Sequence, residues 1–138
     1  MKLPAPRDEL AGCVWLPRIL AKARQFSEGI LEPDYAARFG HPSGVDGQFL
    51  AFFELTRDEL IEVCGRTDVE VTAWFKGRNA AGGGRIAEWN HVAVNLGRTG
   101  FPMAERLPVA LETVYAHLQG RGLDTVFAVL EADEAGAT

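Results

Sequence analysis

The sequence predicts an all-α fold: a single compact domain of about five to seven short helices with Gly/Pro-rich connections. Three observations predict it. Apolar residues recur at three- and four-residue spacing in several short segments. Two consecutive capping boxes mark helix starts at Thr56 and Thr67. Fifteen glycines and seven prolines punctuate the 138 residues often enough to keep each helix short. No segment reads firmly as a strand.

The first element is a lead-in turn over Glu9-Leu10-Ala11-Gly12-Cys13-Val14-Trp15. Pro17 then suits a first helical turn, where its missing N–H costs nothing. Ile19, Leu20, Ala23 and Phe26 supply the apolar face, and Gly29 the stop. Residues 29–45 hold Gly29, Pro33, Gly40, Pro42 and Gly44 and read as the longest irregular segment, pinned to the core by Tyr35 and Phe39. Asp46 is placed to cap a helix carrying Phe49, Leu50, Phe52 and Phe53. That helix has more aromatic surface than one core face needs, so a homodimer is allowed.

The box Thr56-Arg57-Asp58-Glu59 opens a helix with Leu60, Ile61, Val63 and Cys64, ended by Gly65. Thr67-Asp68-Val69-Glu70 opens the next, with Val71, Trp74 and Phe75. In each box the hydroxyl and the carboxylate satisfy orphan backbone donors. Gly77 to Gly84 is a polar, glycine-rich break. A helix resumes near Ile86, with Trp89, Val92 and Ala93 on one face, and stops at Gly97. Pro108 opens or kinks a helix with Leu107, Leu111, Val114, Tyr115 and Leu118 in register. Asp124 can cap a last short element, Val126 to Leu130, whose period fits a helix or a strand equally. Residues 1–8 and 134–138 are expected to fray.

Composition excludes several function classes. Apolar residues at 47% and charged residues at 24% are those of a soluble globular domain. No apolar run is long enough for a membrane helix, so no membrane partner is expected. The N-terminus lacks the apolar core of a signal peptide, and two cysteines alone read as cytosolic thiols, so a cytoplasmic location is expected. A net charge of -5, with acids interleaved among the bases, argues against nucleic acid. Only three of the 14 basic residues are lysine; with abundant Ala and Gly this fits a GC-rich genome, so arginine alone is weak evidence for phosphate recognition.

Catalytic signatures are sparse. His41, His91 and His117 stand apart, without metal-ligand spacing, and no metal or cofactor is expected. Gly82-Gly83-Gly84-Arg85 lacks the spacing of a phosphate loop and reads as a surface turn. Ser27 and Ser43 are the only serines, and neither has a local base in the sequence. Cys13 and Cys64 sit in apolar settings and read as small buried hydrophobes, a bridge between them remaining open. Arg18 and Lys22 lie four apart on one helix face, as surface charge or as an anion site with Asp46 as partner. Trp74, Trp89 and Asn90 form a second candidate group, either core or pocket lining.

The stretch Leu10-Ala11-Gly12-Cys13-Val14-Trp15-Leu16-Pro17-Arg18-Ile19-Leu20-Ala21-Lys22-Ala23-Arg24 resembles the opening block of a bacterial family, domain of unknown function 5069. Asp46 before an aromatic helix, Asp68-Val69-Glu70-Val71-Thr72-Ala73-Trp74 and Ile86-Ala87-Glu88-Trp89-Asn90 extend the likeness, and the acidic segment from Phe127 to Glu134 closes it. The resemblance implies a small, mainly helical bacterial protein and no particular activity. It places Ala21 where the family pattern favours Asp.

Two functions are therefore expected. One is a binding module for a protein or a small anionic ligand, using Arg18, Lys22, Asp46, Trp74, Trp89 and Asn90. The other is a cofactor-independent enzyme whose acid–base residues, Lys22, Asp46 and His91, converge only in the fold.

Overall fold

The computed structural model describes residues 3–136. It is all-α with eight α-helices among those residues, one more than the upper bound expected. The additional helix is α2 (Pro33–Arg38), inside the segment read as irregular. Its signals are local: Pro33 at the first position, Asp34 in the first turn and Arg38 in the last. It escapes a periodicity search because it buries none of its six residues.

The chain divides into two compact units, Met1–Trp89 and Asn90–Thr138. The first unit begins with a two-residue hairpin, β1 (Glu9–Leu10) against β2 (Cys13–Val14), where a turn was expected. Ala11 and Gly12 both have positive φ, the geometry of a tight hairpin loop. Helix α1 (Leu16–Ser27) follows, with Pro17 in its first turn as read. Helix α3 (Val45–Phe52) starts at Gly44, not at an Asp46 cap; Asp46 lies in the first turn with its side chain turned inward. Both capping boxes form, opening α4 (Arg57–Val63) and α5 (Asp68–Lys76).

The core of this unit is aromatic. Phe49 and Phe53 meet at 5.0 Å, Phe53 and Phe75 at 4.8 Å, and Trp89 packs edge-on against Phe49 at 5.4 Å. Phe49, Phe53 and Phe75 are fully buried, and Phe52, the third aromatic of the helix on which a homodimer was allowed, is half-buried. Trp89 satisfies its indole N–H on the Val14 carbonyl at 2.9 Å, which fastens α6 (Arg85–Asn95) to the hairpin.

The division between units falls within α6. In the second unit, α7 (Arg106–Glu112) stops before Thr113, and a 3-10 turn at Ala116–Leu118 replaces the longer expected helix. Leu107, Leu118 and Val129 make its core, with Leu111, Tyr115, Leu123 and Val126 packed around them; Val114 is exposed. The ambiguous segment at 126–130 is helical, the start of α8 (Val126–Gly136). Thr125 rather than Asp124 caps it: the Thr125 hydroxyl accepts from the Ala128 N–H at 3.2 Å, and Asp124 pairs with Arg98 at 3.3 Å. Of the ends expected to fray, residues 1–2 and 137–138 lie outside the described residues; within them, helix continues through Glu134 to Gly136, and Leu3 and Pro6 are buried. No helix among the described residues is long and apolar enough to cross a membrane.

Candidate functional site

Arg18 and Lys22 share one face of α1, and that face points inward. Arg18 is 1% exposed, Lys22 6% and Asp46 2%. The surface-charge reading of this pair is therefore excluded, and Asp46 is indeed the partner of Lys22. The Lys22 ammonium lies 3.2 Å from both Asp46 oxygens. Trp15 Nε1–H donates to Oδ1 at 2.8 Å, and the Gly40 N–H donates to Oδ2 at 3.1 Å. Four hydrogen bonds thus converge on one carboxylate. A buried carboxylate needs this many partners to offset its lost hydration.

The cluster is organised around the Trp15 indole. The Lys22 Nζ is 5.0 Å and the Arg18 guanidinium carbon 5.2 Å from the ring centroid, both in cation–π range. Arg18 also donates to the Pro4 carbonyl at 2.9 Å and lies 5.9 Å from the Tyr35 ring on α2. Trp15 itself has φ +74°, in the left-handed region. A bulky residue held there stores about 1–3 kcal/mol, and such strain gathers at functional sites.

The other nominated residues do different work. Trp89 belongs to the aromatic core. Trp74 is half-buried on α5, with the Arg78 guanidinium 5.5 Å from its ring. Asn90 is half-buried at the start of the second unit. His91, next to it, is exposed, with its ring 5.6 Å from Phe101.

Several arginines have a role that the sequence reading missed. Arg24 donates to the Cys64 carbonyl at the end of α4, and Arg57 to the Phe39 carbonyl at the end of α2. Arg78 reaches the Glu54 carbonyl just past α3. Arg85 reaches the Phe52 carbonyl, stacked 4.0 Å over the Phe52 ring. Short helices leave many carbonyls without internal partners, and guanidinium groups complement both those carbonyls and the helix dipole. The arginine that looked uninformative is a set of clamps on helix ends.

Neither cysteine is an activated nucleophile. Burial, with a smaller contribution from Glu9, pushes the Cys13 thiol far above its ordinary range; burial also raises Cys64. Both are thiols, not a disulfide. Ser43 does have a nearby ring nitrogen: its hydroxyl is 2.8 Å from His41 Nδ1. The same Nδ1 accepts the Ser43 main-chain N–H at 3.0 Å, so its lone pair is already engaged in closing the turn.

No curated protein and no solved structure matches this chain. A family model described as a domain of unknown function, DUF5069, matches residues 2–136. That span contains the strained Trp15, its two cations and Asp46, and it covers almost the whole chain; the protein is a member of the DUF5069 family.

Proposed function

We propose that this protein is a binding module for a small oxyanion, a carboxylate or a phosphate, taken at the Arg18–Lys22–Asp46 cluster. The observation that carries the reading is the assembly around Trp15. Two cations and one carboxylate are gathered on a single indole whose backbone is held in a strained conformation. Guanidinium and ammonium groups together suit oxyanions, the first through planar paired donors and the second as a point charge. The protein is read as bacterial and cytoplasmic, consistent with two buried thiols.

Acid–base catalysis by Lys22, Asp46 and His91 has less support. The acceptor positions of Asp46 are taken by Trp15, Lys22 and Gly40, so a substrate proton could reach the carboxylate only by displacing one of these donors. A protein partner has less support as well. The exposed Ile30, Val69, Val109 and Val114 are single apolar residues of the kind any surface carries.

The test is a thermal-shift panel of citrate, phosphate, nucleotides and neutral sugars. A ligand at about a hundred times its dissociation constant adds roughly 2.7 kcal/mol, which moves Tm by several degrees. Citrate or phosphate should raise Tm in the wild type and not in Arg18→Gln. A flat panel would contradict the reading and move the search to a protein partner.

A further inference from the structure

Helix α2 borders the cluster through Tyr35 and buries none of its six residues; Arg57 holds the Phe39 carbonyl at its end. The chain on either side of it is firmly rooted. Ile30 and Leu31 both donate to the Gln25 carbonyl at the end of α1, at 2.9 and 3.2 Å. On the far side, the main chain of His41 and Pro42 presses on α3 so closely that a Cβ at Gly47 would lie 2.5 Å from it. Between those roots, residues 32–39 form a bridge whose helix buries no residue. The Tyr35 ring lies 5.9 Å from Arg18, and at the junction just after the bridge the Gly40 N–H donates to Asp46 at 3.1 Å. Its one buried side chain is Phe39, 5.3 Å from Phe26, with the exposed Arg57 stacked over both rings. Gly40, at the junction with the root, has φ +73°, which a side chain rarely adopts.

From this geometry we infer that residues 32–39 are a strap that opens between its two roots and admits the oxyanion to Arg18 and Lys22. The inference rests on the binding reading above. An element with little buried apolar area and few protected hydrogen bonds opens at low cost while the rest stays folded. Opening moves Tyr35 away from Arg18 and gives the anion a face of the guanidinium. It also releases the Gly40 N–H from Asp46, so the Gly40 amide reports each opening.

The experiment is native-state hydrogen exchange on the whole protein, with citrate, phosphate or chloride, in wild type and Gly40→Ala. Alanine at Gly40 is strained by its φ and would bring its Cβ to 3.0 Å from Arg57 Cδ, so it weakens the closed strap. Amides of residues 32–40 should exchange about tenfold or more faster than those of α1 in wild type. Citrate or phosphate, and not chloride, should speed that exchange further, because they bind the open form. Gly40→Ala should bind the effective anion several-fold more tightly, as expected when the competent state is already populated. Tyr35→Ala should act in the same direction if Gly40→Ala folds poorly. Anion binding with Gly40 exchanging in step with α1 would reject the strap and keep the binding reading. A mobile strap without citrate or phosphate binding would reject both. Response to citrate alone or to phosphate alone would identify the headgroup.

Discussion

Replacing Asp46 by Ala removes the acceptor from three donors at once, two of them buried and one half-buried. The Trp15 indole N–H, the Gly40 N–H and the Lys22 ammonium all end on this carboxylate, at 2.8, 3.1 and 3.2 Å. Orphaning one buried neutral donor costs about 1–3 kcal/mol. Leaving one member of a buried ion pair without its counter-charge costs about 3–5 kcal/mol. These penalties overlap, because all three donors relax into the same space, so the expected loss is about 3–5 kcal/mol in total. A loss of that size lowers Tm by roughly 10 °C or more in a chain of this length. The assay is urea unfolding followed by tryptophan fluorescence. Trp15, Trp74 and Trp89 all lie in the first unit, so the signal reports that unit. The companion variants are Lys22→Met and the double replacement. Because the pair is buried on both sides, the cycle should show a coupling of about 1–3 kcal/mol, the double variant losing less than the two singles together. A loss under about 1 kcal/mol for Asp46→Ala, or strict additivity in the cycle, would show that the carboxylate is not the shared acceptor of a buried network.

Three further outcomes follow from the structure. The main-chain N–H of Thr56 holds the Glu59 carboxyl below its ordinary range, and that of Thr67 does the same for Glu70. A lowered carboxyl contributes stability that is present above its unfolded value near 4.5 and is lost as pH falls through the folded value, so acid should loosen α4 and α5; Glu59→Gln with Glu70→Gln should flatten that part of the pH profile. Cys13 is inaccessible and Cys64 nearly so, and both thiols are raised by burial, so an aromatic disulfide reagent at mildly alkaline pH should react only as the protein unfolds; rapid reaction of the native protein would contradict the placement of both. Gly97→Ala should destabilise the second unit by about 1–3 kcal/mol, since φ is +96° there and the new Cβ would stand 2.8 Å from Leu107 Cδ2; an unchanged melt would show that this corner repacks freely.

Much of the helical outline was legible because its signals are local. Thr56 with Glu59 and Thr67 with Glu70 each announce a helix within four residues, and both helices form as read. Pro17 and the apolar spacing after it define α1 in the same way. Helix α2 was not legible by periodicity, because periodicity records burial and α2 buries nothing. For Asp46 the sequence allowed a cap or a partner for the Arg18/Lys22 face, because capping and long-range pairing ask for the same residue type; the pairing forms and the cap does not. Its true partners lie 24 and 31 positions away in the chain, and no local rule reaches them. The cap of α8 shifted by one, from Asp124 to Thr125, within the ordinary uncertainty of helix ends.

The candidate site was half legible. Arg18, Lys22 and Asp46 do come together, and the four-residue spacing on α1 was the signal for the two cations. Trp15 went unnominated, although it is the hub of the cluster. Its left-handed backbone leaves no trace in a one-letter code, and an indole before a helix reads as ordinary core. The arginine clamps were hidden for a related reason. A guanidinium that binds a carbonyl recognises main chain, so its partner has no sequence signature: Arg85 could not be linked to Phe52, nor Arg24 to Cys64, before the fold was in view.

The claim that the Trp15 cluster takes a small oxyanion is tested most directly by following the tryptophan indole N–H resonances during titration with citrate and with phosphate. The chain has three tryptophans, and Trp15→Phe identifies the resonance whose proton lies on Asp46. This one resonance should move saturably with at least one of the two anions, while those of Trp74 and Trp89 stay in place. A Trp15 resonance that does not move with either anion, or three that drift together with ionic strength, would contradict it.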